Sequence, residues 1–214
     1  MCKKPVVLIC VSGGSGSGKT TVAEEIKKIC PKKIKLLHLS LDRFYKSSLN
    51  NLNINDLHSN VNFDHPKSFD WVLIKKVIKD LINRKPIKVP YYDYKKSKRL
   101  NKFETFKNYD VIIFEGILTL YNDEINKLAK IKIFVDTPSD ERFIRRFLRD
   151  TNERGRNINN IIEQWRTIVR PMYNLFVSSQ KANADIVIPW YKFNTRAIRV
   201  LNATIHELLK PLKR

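Results

Sequence analysis

Cysteine, methionine and glycine are scarce in this chain of 214 residues, at three, two and six. The cysteines, Cys2, Cys10 and Cys30, show no C-x-x-C spacing. An odd count in a chain of this size does not suggest a disulfide framework and points to a reducing compartment. Six Gly and nine Pro exclude a collagen-like or linker-dominated composition. Long apolar runs are missing too. The first, residues 6–11, stops at Ser12-Gly13-Gly14, too short for the apolar part of a signal peptide. Nothing approaches the roughly 20 apolar residues of a membrane span. The expectation is a cytoplasmic protein with no membrane partner. Acidic residues are few: 21 Asp plus Glu face 41 Lys plus Arg, a net charge of +20. Such a field attracts polyanions: nucleic acid, anionic membranes or phosphorylated small molecules.

What is present is the makings of a core. The chain is 43% hydrophobic and 29% charged, which excludes a disordered chain, and its length suits a single domain spanning residues 1–214. Short apolar runs recur at residues 6–11, 36–41, 111–114, 131–135 and 186–188. Bounded by turn signals, they read as buried strands of a mostly parallel sheet. Helical patterns lie between them, at residues 20–29, 71–81, 139–149, 157–178 and 195–209. On the second, Trp71, Ile74, Val77, Ile78 and Leu81 share a face that Lys75, Lys76 and Lys79 leave. This alternation predicts an α/β fold with helices on both faces. Residues 86–107 break it and read as an inserted β-hairpin around a basic turn. Residues 50–62 read as a polar loop. There is no internal repeat.

The sharpest local signal is Gly13-Gly14-Ser15-Gly16-Ser17-Gly18-Lys19-Thr20, which fits G-x-x-x-x-G-K-[ST] between an apolar strand and a helix. Its glycines let backbone N–H groups curl around phosphate oxygens at a helix N-terminus. Lys19 would reach the terminal phosphates and Thr20, with Thr21 beside it, would face the metal and phosphate side. The expected ligands are ATP and Mg²⁺. Glu115 ends an apolar run and so belongs at the open edge of the sheet, where a carboxylate can serve a metal.

Asp42 ends the second run. It can be a base that takes a proton from an attacking hydroxyl, a metal-side carboxylate, or simply a cap of the following turn. Arg142, Arg145, Arg146 and Arg149 follow at helical spacing, then Arg154 and Arg156 around Gly155. Arginine suits bidentate phosphate contact. For Arg142 and Arg145 a solvated helix face is the expectation. For Arg149, Arg154 and Arg156, work on a transferring phosphoryl group is, with residues 150–160 acting as a lid that excludes water.

Together these residues resemble the uridine kinase (uridine–cytidine kinase) family of P-loop kinases. The resemblance runs through the glycine loop, Asp42-x-Phe44-Tyr45, Asn62-Phe63-Asp64-His65-Pro66, Pro90-x-Tyr92-Asp93-Tyr94, Phe114-Glu115-Gly116, Arg145-Arg146-x-x-Arg149-Asp150, Glu153-Arg154-Gly155-Arg156 and Gln164. It implies a P-loop three-layer fold and ATP-dependent phosphorylation of the 5′-hydroxyl of uridine or cytidine. It implies that Asp42 is the base and that Thr20 and Glu115 serve Mg²⁺. It implies that Asp64, Arg146, Arg156 and Gln164 bind the nucleoside in a pocket lined by Tyr45, Phe63, Tyr92 and Tyr94. His65 reads as structural, beside Pro66. The resemblance also suggests a homotetramer.

The chain departs from the family in places. Ser97 stands where the family usually has a His that touches the pyrimidine's exocyclic group. Residues 190–194, Trp-Tyr-Lys-Phe-Asn, replace a small, Gly-containing stretch on the donor side. Leu41 and Arg43 flank the base with side chains unusual for the family. Two other readings compete: a P-loop kinase with another acceptor, phosphoribulokinase- or pantothenate-kinase-like, and a nucleic-acid-binding P-loop protein. The charge alone supports the last. With 27 Lys against 14 Arg, scattered beside many Asn, it reads as a compositional bias, so no specific nucleic-acid partner is expected.

Overall fold

In a computed structural model, residues 5–46, 62–93 and 98–209 are described. Five parallel strands form the central sheet: β1 (Val7–Ser12), β2 (Leu36–Ser40), β5 (Val111–Glu115), β6 (Ile131–Asp136) and β7 (Ile186–Pro189). Their order is β2-β5-β1-β6-β7, so β1 is central and carries the glycine loop at its C-terminal end. Its register with β5 runs from Val7↔Val111 to Val11↔Glu115. β1 and β5 are buried along their whole length, which is why they are written as unbroken apolar runs rather than alternating ones.

Alternate residues of β1 feed two cores. Leu8 and Cys10 join one with Phe44, Phe114 and Phe134, and Val7, Ile9 and Val11 join another with Val22, Ile26 and Leu201. The second core is closed by α1 (Lys19–Ile29) and α6 (Thr195–Leu209). The first is closed in part by α2 (Trp71–Ile82), whose Ile74, Val77, Ile78 and Leu81 are buried on the face expected from their spacing. Asp70 caps α2 by accepting from Leu73 N at 3.0 Å.

Strands β3 (Ile87–Asp93) and β4 (Lys98–Phe106) pair antiparallel as a separate two-stranded sheet, with a register shift between Pro90 and Tyr92. The polar segment 50–62, Asn62 apart, lies outside the described residues, as do Tyr94 and Ser97.

Two helices differ from expectation. Helix α4 (Ser139–Asn152) runs three residues further than its pattern suggested, with Pro138 just before its first turn. Beyond the short α3 (Asp123–Leu128) and α4 comes α5, which starts at Ile158–Gln164 with Asn157 as its cap. It continues to Asn183, through π turns at Trp165–Val169 and Tyr173–Val177 and a final 3₁₀ stretch. Pro171, in the α-helical turn Arg170–Met172 between the π turns, has no N–H to give to the i−4 ladder, so the hydrogen bonding there must be irregular. No helix among the described residues is long and apolar enough to cross a membrane.

Candidate active site

The C-terminal edge of the sheet opens into a cavity of about 1040 Å³. On its floor is the loop from Gly13 to Gly18. Gly16 and Gly18 have φ of 77° and 91°, a conformation that side chains resist. Space forbids them as well: a Cβ on Gly16 would strike the carbonyl oxygen of Arg142, and one on Gly18 would strike the Trp190 ring. Lys19 is buried, and its Nζ donates to Gly14 O at 2.9 Å, folding the side chain back over the loop. Burial depresses its pKa, against the pull of Glu115 and Asp42. Thr20 and Thr21 open helix α1 and line the same cavity.

Three carboxylates face this floor. Glu115 arrives on β5. Burial would raise its pKa, but His38 and Lys19 outweigh that and hold it low. Asp42 arrives on the one-turn helix Leu41–Phe44 that follows β2. Ser40 caps that turn by accepting from Asp42 N at 3.3 Å, so the cap is Ser40, not Asp42, and the Asp42 carboxylate lines the cavity. The residue is half-buried in the cleft wall. Burial and the Glu115 charge push its pKa up to about 6, against Lys19, Arg154 and Arg149. Asp64 faces them from the segment before α2. Burial raises its pKa while Arg146, Lys19, Arg149 and Arg156 pull it down.

Aromatic rings enclose the Asp64 end. Tyr45 packs edge-on to Phe63 with centroids 5.2 Å apart, stacks on Phe69 at 4.5 Å and leans on Tyr92 at 5.2 Å. Tyr45, Phe63 and Tyr92 all line the cavity. Neighbouring His65 is structural, as its sequence context suggested: its Nδ1 accepts from Lys67 N at 3.0 Å and its ring meets Phe176.

The arginines converge on a single buried carboxylate. Asp150 lies 2.9 Å from Arg149, 3.3 Å from Arg156, 3.4 Å from Arg154 and 3.5 Å from Arg146. All four arginines line the cavity. Arg146 links its two ends. It donates to Ser15 Oγ in the loop at 2.8 Å and to Gln164 Oε1 at 2.7 Å. Gly155, with φ 63° and open space around it, carries the bend between α4 and α5.

The solvated-face expectation for Arg142 is corrected. It is 2% exposed, its Nε donates to Thr137 O at 3.1 Å, and its guanidinium lies 3.7 Å from the Tyr173 ring centroid. The glycine loop rests on this side of α4, so the helix face is covered by backbone rather than water. Arg145 is half-buried and donates to the carbonyls of Trp190 and Tyr191. Trp190, 4% exposed, is packed under Gly18.

The apolar-run reading of residues 36–41 gives His38 no role. Its Nδ1 is 3.0 Å from Glu24 Oε1, and its Nε2 is 3.8 Å from Glu115 Oε1. Burial disfavours its charged form, but the two carboxylates win and raise its pKa. The signal was there: His38 and Ser40 share one face of β2 by period-two alternation, and both line the cavity.

A phosphate-binding loop between a central parallel strand and a helix, under a cleft at the strands' C-terminal edge, defines the fold of the P-loop kinases. The chain belongs to the phosphoribulokinase/uridine kinase family, whose model matches residues 8–197. It is 43% identical over 208 residues to a uridine kinase of Ureaplasma urealyticum, covering 97% of this chain and all of that one. It is also 43% identical to a uridine kinase of Mycoplasma genitalium, over 94% of this chain and 93% of the relative. Among solved structures, phosphoribulokinase from Rhodobacter spheroides shares the fold, with a TM-score of 0.60 and 16% identity over 86% of this chain and 70% of that one.

Proposed function

We propose that this protein transfers the γ-phosphoryl group of ATP to the 5′-hydroxyl of uridine or cytidine. One observation carries the reading: a single cavity places Lys19, Asp42 and Asp64 together, in a chain whose near-full-length relatives are uridine kinases. In this reading the loop 13–18, Lys19, Thr20 and Thr21 hold the triphosphate. Asp64, Gln164, Arg146 and Arg156 hold the nucleoside between the rings of Tyr45, Phe63 and Tyr92. A carboxylate such as Asp64 accepts from the vicinal ribose hydroxyls, and leaving it unpaired rejects deoxyribose. Tyr94 and Ser97 belong to the same proposed pocket by resemblance alone.

The loop fits an anion. Ser17 Oγ and Arg142 Nη1 are buried without a hydrogen-bond partner at the loop, which suits oxygen ligands of high charge. The oxygen donors Thr20, Asp42 and Glu115 fit Mg²⁺. Burial first and the Glu115 charge second raise the Asp42 pKa, and a dication would relieve the repulsion between the two carboxylates. No group of three or more His, Cys, Asp or Glu among the described residues is placed to hold a metal alone. That suits an ion shared with phosphate oxygens, for which Thr20 and Glu115 would be the protein's contribution. When bound, Mg²⁺ supplies charge neutralisation on the triphosphate.

The chemistry follows from the chain's own groups. Asp42, as carboxylate, takes the proton of the 5′-hydroxyl. The 5′-oxygen forms a bond to the γ-phosphorus as the bond from that phosphorus to the β–γ bridging oxygen breaks, and ADP leaves with the electron pair. Lys19, Arg149 and Arg154 face the charge that develops on the transferred group. The segment 150–160 closes as a lid, with Gly155 as hinge, and keeps water from competing with the sugar hydroxyl. By the same resemblance the enzyme works in the cytoplasm as a homotetramer, which sedimentation would test.

An ATP-consumption assay over a panel of nucleosides, pantothenate and ribulose 5-phosphate tests the reading. Uridine and cytidine should be turned over at least about a hundredfold faster than the other acceptors, the scale set by unpaired polar groups in a mismatched site. Turnover of ribulose 5-phosphate or pantothenate instead would refute it.

A further inference from the structure

Arg43 follows Asp42 in the turn Leu41–Phe44, yet its guanidinium is committed to the hairpin. Its Nε donates to Pro90 O at 2.8 Å, its Nη2 to Val89 O at 3.4 Å and its Nη1 to Glu104 at 3.0 Å. The group also lies 5.0 Å from the Tyr91 ring centroid and 5.3 Å from that of Phe106. The hairpin explains why an arginine suits this place. Among the described strands β3 pairs only with β4, so its other edge offers carbonyls that need donors. The register shift between Pro90 and Tyr92 interrupts the ladder there. A planar fork of N–H groups can satisfy two successive carbonyls at once, which an ammonium cannot do in the same geometry.

Two residues beyond Pro90, Tyr92 forms the cavity wall against Tyr45. One residue before Arg43 is Asp42. One side chain therefore joins the strand that shapes the acceptor pocket to the turn that carries the carboxylate at the reacting end. We propose that Arg43 is a positioning residue that fixes the acceptor wall relative to Asp42, so that an acceptor held against Tyr92 presents its hydroxyl to that carboxylate. This rests on the nucleoside kinase reading for the identity of the acceptor. The Glu104 contact is partly exposed and contributes little to the clamp; the two carbonyls and the two rings hold it.

The test uses the full-length chain and the variants R43A, R43K and E104Q. Without any substrate, amide hydrogen exchange across residues 87–93 should quicken by about tenfold in R43A, less in R43K, and hardly at all in E104Q. With uridine and ATP, R43A should raise KM for the nucleoside about tenfold and lower kcat, with KM for ATP within about twofold. Unchanged exchange in R43A overturns the proposal. So does faster exchange with equal rises in both KM values, because that is general loosening rather than positioning. If the wild-type protein turns over no nucleoside, the proposed activity falls, while the exchange data still decide whether Arg43 clamps the hairpin. Should R43A not fold, R43K and R43Q carry both readouts.

Discussion

At the proposed phosphate end of the cavity, Ser15, Gly16, Gly18, Lys19 and Thr20 come from one stretch of eight consecutive residues, Gly13 to Thr20. At the acceptor end, Tyr45, Phe63, Asp64, Tyr92, Arg146 and Gln164 come from five separate segments. The first end is a short piece of chain bent by glycine and held by a central strand. The second exists only after the hairpin, α4 and α5 have packed. A phosphate group is the same in every nucleotide, so a local backbone device can serve it. An acceptor differs from enzyme to enzyme, and the side chains that recognise it can be drawn from anywhere in the fold.

Substitutions can break or sharpen this contrast. The largest effect belongs where the two ends meet. Asp42→Asn should lower kcat by about 10³-fold, within the range for a general base, while calorimetry still shows nucleoside binding. Near-normal turnover would remove Asp42 from the chemistry. Next, Asp64→Ala should act on one end only, raising KM for the nucleoside about a hundredfold and leaving KM for ATP within about twofold. Arg142→Leu probes how local the phosphate end is. Losing the buried guanidinium under Gly14 should raise KM for ATP about tenfold and lower Tm by several degrees, on the scale of about 1–3 kcal/mol for a disrupted buried polar group. An unchanged KM for ATP would show that the loop holds its shape unaided. The smallest effect is expected from Ser97→His, a shift of a few fold in the uridine-to-cytidine rate ratio, since it alters one contact to the pyrimidine. Equal rates before and after would show that position 97 does not read the base.

The same contrast governs what the sequence made legible. The loop, its strand and its helix are contiguous, so their pattern was readable outright, as were β5 ending at Glu115 and the buried face of α2. The converging arginines were readable only as a helical spacing. That spacing does not say which side meets water, and Arg142 proved buried because the glycine loop covers it. Asp150 stands in the sequence only as the end of a family string with no role of its own, yet it is the fully buried carboxylate on which four arginines meet. The apolar run 36–41 hides His38, because its polar interruptions, His38 and Ser40, mark the cavity face. Trp190, one of three aromatics in the stretch 190–194, carries no sequence sign that it supports Gly18. In each case the missing information was a contact between segments far apart in the chain, which periodicity does not contain.

The surplus of positive charge acquires a partial role from the same geometry. Lys19 and the arginines at 146, 149, 154 and 156 line the cavity proposed to take the triphosphate and the acceptor. Others, such as Lys75 and Lys79 with Glu124, form exposed ion pairs of little energetic weight.

The central claim is that the two ends serve one transfer. Product analysis by phosphorus NMR, with uridine, ATP and Mg²⁺ and the wild-type protein, tests it most directly. The account predicts uridine 5′-monophosphate and ADP formed one for one, with inorganic phosphate negligible. ADP and inorganic phosphate without the nucleotide product would contradict it.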